Sequence, residues 1–123
     1  MAAFDTLLGQ LVAVLFAWAL LWLAALTAAT VRPPGEWGRA FLVMNGLWAV
    51  IDGGIAWYGL VAPPPADLAT LLKVSAGLDV LYVLAGVALL TRRPARLKGF
   101  GAAVVVQGAF LLVVDVTFWL RTG

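Results

Sequence analysis

A chain of 123 residues has room for one domain, and 64% of this one is hydrophobic, with a mean hydropathy of +1.05. Soluble domains average about 45–50% apolar residues, and a small one leaves too much surface wet to hide the excess. The composition therefore excludes a soluble globule and makes a bilayer the expected solvent. Formal charge is +2, and Cys and His are both missing. Their absence excludes disulfides, thiol redox chemistry, Cys/His metal sites, axial His ligation of haem and His-based catalytic triads.

Four apolar runs are predicted as helices, at about 6–31, 38–62, 67–91 and 99–121. Each exceeds the roughly 20 residues needed to cross a hydrocarbon core of about 30 Å. The first run opens after Asp5 or Thr6, either of which can cap it. It is longer than the roughly 7–15-residue apolar core of a signal peptide and no basic stretch precedes it, so a cleaved leader is not expected. Arg32-Pro33-Pro34-Gly35-Glu36 ends it, because proline lacks the backbone donor and restricts the residue before it. Pro63-Pro64-Pro65 ends the second run, and Asp67 is the predicted N-cap of the third. Arg92-Arg93-Pro94-Ala95-Arg96 closes the third run, with basic side chains where a helix C-terminus favours them.

Short loops make sequential helices antiparallel neighbours. The first and third loops then share one side and hold Arg32, Arg39, Arg92, Arg93, Arg96 and Lys98, against Lys73 and Arg121 on the other. Six against two predicts, by the positive-inside rule, that these loops are cytoplasmic and both termini are not. The expected location is a cell inner membrane, crossed four times. If the three acids inside the runs are neutral or paired, eight basic residues face the three remaining acids, a net +5 that suits anionic lipid headgroups. No clustered basic face suggests nucleic acid. Trp37, Trp57, Tyr58 and Trp119 stand near run ends and are read as interfacial anchors.

The chain also repeats itself. Thr30-x-Arg32-Pro33 returns as Thr91-x-Arg93-Pro94. Asn45-Gly46-Leu47-Trp48 resembles Gln107-Gly108-Ala109-Phe110, and an aspartate follows in each case, Asp52 and Asp115. These parallels predict two tandem helical hairpins of the same orientation, related by an axis along the membrane normal.

Three aspartates inside apolar runs need an explanation, since a charged one at a helix centre costs roughly 2.5–3.5 kcal/mol. At about 1.5 Å per residue, Asp52 lies about 20 Å from Arg39 and Asp79 about 18 Å from Thr91, both near the midplane. Ser75, Asp79, Tyr82 and Gly86 form one helical stripe. Asn45, Trp48 and Asp52 share a face extended by Gly59, and Gln107 and Asp115 stand about 80° apart around their helix. Asp52, Asp79, Asp115, Asn45, Gln107, Ser75 and Tyr82 are therefore expected to build a polar interior from helices two, three and four. It is read either as a proton- or cation-responsive site or as interhelical hydrogen-bonding glue. Helix one is expected only to buttress it through Ala13, Ala17, Ala24 and Ala28, with Trp18 and Trp22 facing lipid or packing. Gly46, Gly53, Gly54, Gly59, Gly77, Gly86, Gly101 and Gly108 are read as close helix contacts. The sequences around Asp52 and Asp79 match no aspartyl-protease motif.

Met44-Asn45-x-x-Trp48, Leu78-Asp79-x-x-Tyr82-x-x-x-Gly86 and Gly99-x-Gly101…Gln107-Gly108-x-Phe110-Leu111…Asp115 resemble a family of small bacterial four-helix integral membrane proteins known as a domain of unknown function. The resemblance spans about residues 38–121. It implies fold and membrane location and brings no activity. The expected fold is all-α, a transmembrane four-helix bundle of two tandem hairpins within a single domain, 1–123. The expected function is a structural, accessory or lipid-binding membrane module. The alternative is a small proton- or cation-coupled transporter or channel using the aspartates. No enzyme, cofactor, metal or nucleic acid is expected. Membrane lipids are expected partners, together with a second copy or another membrane protein.

Overall fold

Four helices follow one another: α1 (Leu7–Val31), α2 (Glu36–Val61), α3 (Leu68–Leu90) and α4 (Ala95–Leu120). They belong to a computed structural model that describes residues 6–31, 34–61 and 67–122, and no strand occurs among the described residues. The fold is all-α. At 23–26 residues and about 1.5 Å per residue, each helix is at least about 35 Å long, and each is long and apolar enough to cross a membrane.

Local chemistry sets the ends. Thr6 Oγ1 accepts the Gly9 backbone N–H at 2.9 Å, one of the four donors an α-helix start leaves unpaired. Asp67 caps α3 by accepting the Thr70 N–H at 3.1 Å and the Thr70 hydroxyl at 2.6 Å. α2 and α4 begin earlier than the hydropathy runs, at Glu36 and Ala95 rather than 38 and 99. Polar first turns end an apolar run without ending a helix, so Arg39, Arg96 and Lys98 lie on helices rather than in loops. Arg32, the alternative cap Asp5 and the prolines at 33 and 63–65 fall outside the described residues.

Sequential helices are antiparallel, but only those within a hairpin pack as neighbours: α2 and α3 stand apart, contrary to the expectation from the short loop, and the hairpins meet through α2 and α4. In the first hairpin Gly46 receives Leu26 and Gly59 receives Val12. In the second, α3 lies along α4 over Gly86, Gly101 and Gly108. A Cβ on Gly86 would stand 2.8 Å from the Gly101 carbonyl oxygen, and one on Gly101 would stand 2.6 Å from the Gly86 carbonyl oxygen. Backbones approach this closely only where both residues lack side chains. α2 and α4 run parallel, Gly99 backing onto the Trp37 carbonyl and Ala40. Gly54 and Gly77 depart from the expected close contacts, because nothing lies within 4 Å of a Cβ on either.

α3 packs mainly on α4 and buries only Leu72, Asp79 and Gly86. α1 turns Leu11, Val12, Leu15 and Ala19 inward, while Ala13, Ala17, Ala24 and Ala28 point outward. The expected alanine seam is thus on the wrong face: larger side chains at 11, 12 and 15 reach the core cluster of Ala56, Leu72, Val114 and Phe118. Charges segregate by end. Arg39, Arg92, Arg93, Arg96 and Lys98 gather where α2 and α4 begin, and Lys98 Nζ donates to the Leu90 carbonyl at 3.3 Å. Arg121 lies at the opposite end, donating to Gln10 Oε1 at 2.6 Å and covering the Phe118 ring.

Candidate functional site

Polar residues enter the interior on helical stripes. On α2, Asn45, Ala49, Asp52 and Ala56 fall at the i, i+4, i+7, i+11 spacing and all four are buried. On α4, Gln107, Val114, Asp115 and Phe118 are buried, and α3 contributes Asp79. Asn45 and Gln107 are 0% exposed, Asp52 1%, Asp79 3% and Asp115 8%. Polar groups sealed this far must find partners, because each unmade bond leaves its full desolvation cost standing.

The two amides find theirs. Gln107 Nε2 donates to Asn45 Oδ1 at 2.7 Å, and Asn45 Nδ2 donates to the Phe41 carbonyl at 3.0 Å. Gln107 Oε1 accepts from the Trp18 indole at 2.8 Å. The result is a one-way chain, Trp18 to Gln107 to Asn45 to backbone, that ties α1, α4 and α2 together. α1 is therefore more than a buttress. Trp18 also stacks on Phe110, with centroids 3.8 Å apart, and Trp22 sits edge-on to Trp18 and Phe41. The signal for Trp18 lies in its spacing from Leu15 and Leu11, three and seven residues back on the buried face.

The three carboxyls form a second centre, about two helical turns beyond the amides. The Asp79 and Asp115 carboxyls face each other across the α3–α4 contact, both lining one groove, and Asp52 on α2 lies near them. A carboxylate has only acceptors, so two facing carboxyls can bond to each other only through a shared proton. One oxygen of Asp79 and one of Asp52, both Oδ2, are buried without a partner, as is the Trp22 indole nitrogen.

Asp79 and Asp115 line a groove of about 340 Å³ with Ser75 and Tyr82, walled by Leu11, Leu15, Ile55, Leu71, Leu72, Leu78 and Leu111. Tyr82 is held edge-on to Trp48, centroids 5.0 Å apart. Ile55, Leu71 and Leu78, at the mouth, are exposed, while Leu11, Leu15, Leu72 and both acids are buried. The seven residues singled out from the sequence thus divide in two. Asn45 and Gln107 are fully bonded to one another, whereas Asp79, Asp115, Ser75 and Tyr82 meet at the groove with Asp52 behind them. Among the described residues no group of three or more His, Cys, Asp or Glu is arranged to hold a metal ion. The anchors Trp37, Trp57, Tyr58 and Trp119 are exposed near helix ends.

A family model described as a family of unknown function, DUF6992, matches residues 14–116. No curated protein and no solved structure matches the chain. The match spans all four helices and both polar centres; the chain belongs to this family of unknown function.

Proposed function

We propose that this member of the family is a multi-pass membrane protein whose activity resides in a proton-exchanging carboxyl pair, Asp79 and Asp115, within a small transporter or channel element. The observation that carries this reading is the unpartnered Asp79 oxygen at the base of a groove. Polar groups that serve only as glue are expected to be satisfied, as Asn45 and Gln107 are. An acid that shares a proton, keeps a free oxygen and opens onto a groove is poised to exchange the proton.

The test is proton flux into liposomes holding the purified protein, with Asp79→Asn and Asp115→Asn beside wild type. Flux that both substitutions abolish, in proteins that remain folded, supports the reading. Flux unchanged in either variant, or none in wild type, counts against it.

A structural or accessory module is the second reading, favoured by the closed Trp18–Gln107–Asn45 chain. On either reading the basic end lies in the cytoplasm and both termini lie opposite, in a bacterial inner membrane. Equivalent residues of the two hairpins meeting on α2 and α4 supports a duplication. A chain of 13.0 kDa encloses no wide path, and a second copy is the proposed partner; a monomeric mass in lipid would count against it.

A further inference from the structure

The groove has three features that select a ligand. Its base is acidic: Asp79 and Asp115 both line it with no basic residue beside them, and on the proton-exchanging reading the pair holds one proton and one negative charge. Its walls are apolar, with seven Leu or Ile side chains. Its side is aromatic, because Tyr82 lines it and is fixed against Trp48. An acid base beneath an aromatic ring and aliphatic walls is the chemistry that recognises an organic ammonium ion, by charge, by the ring quadrupole and by burial of its carbon substituents.

Other ligands fit less well. An inorganic cation needs a shell of several oxygen ligands in place of its water; the groove has oxygens only on Asp79, Asp115, Ser75 and Tyr82, and its other seven lining side chains are Leu or Ile. A phosphate is repelled by the carboxyls. A volume of about 340 Å³ is at the small end of ligand pockets, roughly 300–1,000 Å³, which suits a single-ring cation and not a two-tailed lipid. The mouth between Ile55 on α2 and Leu71 and Leu78 on α3 is made of exposed apolar side chains. A ligand that reaches it partitions into hydrocarbon first, so the cation must itself be lipophilic.

We propose that the groove between α2 and α3 binds a small lipophilic organic cation, a substituted amine or quaternary ammonium, on the Asp79–Asp115 pair. This rests on the proton-exchanging reading, and it adds the substrate class: the cation takes the place of the shared proton, so that one charge leaves as the other arrives. The titratable groups facing the pair are Asp52 from α2 and Tyr82 from α3 itself; α1 contributes only Leu11 and Leu15.

The experiment is titration calorimetry on the full chain in nanodiscs of zwitterionic lipid. The probes are benzyltrimethylammonium and neopentylbenzene, its neutral isostere with carbon in place of the charged nitrogen. Expected are saturable binding of the cation with proton release, seen as a buffer-dependent heat, and at least about tenfold weaker binding of the isostere. Affinity for the cation should fall by about tenfold or more in Asp79→Asn and in Asp115→Asn, and Leu71→Trp, which narrows the mouth, should weaken it without touching either acid. Equal binding of the two probes would make the groove an apolar slot and overturn the proposal, as would cation binding undiminished in the Asp79→Asn, Asp115→Asn double variant. Proton flux that depends on Asp79, with no saturable cation binding in wild type, overturns the ligand and leaves the proton-exchanging reading standing. Loss of both flux and binding in wild type overturns the two together.

Discussion

Gln107 donates to Asn45 at 2.7 Å across the contact of α2 and α4, and each amide is followed along its own helix by a buried aspartate. Asn45 is followed by Asp52 and Gln107 by Asp115, and the acids again stand close enough to interact. Helices that run parallel at the centre carry amide and acid in the same order. The bond therefore closes the interface between hairpins with a matched donor and acceptor.

Breaking that bond has a defined cost. In membrane helices such pairs average about 0.6 kcal/mol, with a maximum near 1.7. A double-mutant cycle over Asn45→Ala and Gln107→Ala should give a coupling within that range. The single Gln107→Ala should cost more, about 1–3 kcal/mol, because it strands the Trp18 indole and Asn45 together. Reversible unfolding in mixed micelles reads both quantities; a coupling of zero would remove the amide pair from the account of how the hairpins join.

Glycines on α3 should divide by position. Gly86→Ala places a Cβ against the Gly101 carbonyl and the Val105 backbone nitrogen, each at 2.8 Å. Neither neighbour is a flexible side-chain end, so α3 must move off α4, at about 1–3 kcal/mol. Gly77→Ala meets nothing within 4 Å and should be neutral or stabilising by up to about 1 kcal/mol, since glycine weakens a helix interior. The same unfolding assay ranks the two, and a Gly77 variant that destabilises as much as Gly86→Ala would contradict the packing described.

The proposed sharing of a proton by Asp79 and Asp115 predicts a spectrum. Infrared difference spectra at neutral pH should contain the carbonyl stretch of a protonated carboxylic acid, sensitive to deuterium exchange. The band should shift in Asp115→Asn and vanish from its position in the Asp79→Asn, Asp115→Asn double variant. An unchanged band in the double variant would assign the proton elsewhere.

Asp67 gives a pH dependence of known sign. Its bonds from the Thr70 hydroxyl and backbone N–H hold the carboxyl below its ordinary value. A depressed folded value means the N-cap contribution is present above the unfolded value of about 3.9 and is lost as pH falls through the folded one. Asp67→Asn keeps a side-chain acceptor without titrating there. Thermal melts of wild type should therefore lose more stability than Asp67→Asn on acidification below about pH 4; parallel losses would exclude the cap as their source.

Several features were legible before any tertiary contact. The four spans are fixed by run length against bilayer thickness, and the Asp67 cap by one side chain and its neighbours. The stripe of Ser75, Asp79, Tyr82 and Gly86 follows from helical period alone, and α3 turns Asp79 and Gly86 inward as that period requires. Helix starts were less legible, because hydropathy marks where a chain is apolar and not where its backbone bonds begin. α1 was read on the wrong face, since its alanines and its large residues are both compatible with packing and only neighbours choose between them.

Composition, period and the order of charges thus determined an all-α chain of four long apolar helices, with three acids inside. Those are properties of single helices, set by rise, rotation and the chemistry of each side chain. Which polar groups meet was decided by tertiary structure. It bonded Gln107 to Asn45 and Trp18, set Asp79 and Asp115 into one groove, and left one Asp79 oxygen without a partner there. Such pairings depend on the rotation and depth of one helix against another. Close backbone contacts at Gly86, Gly99 and Gly101 set those quantities, and no periodicity along a single strand of sequence contains them.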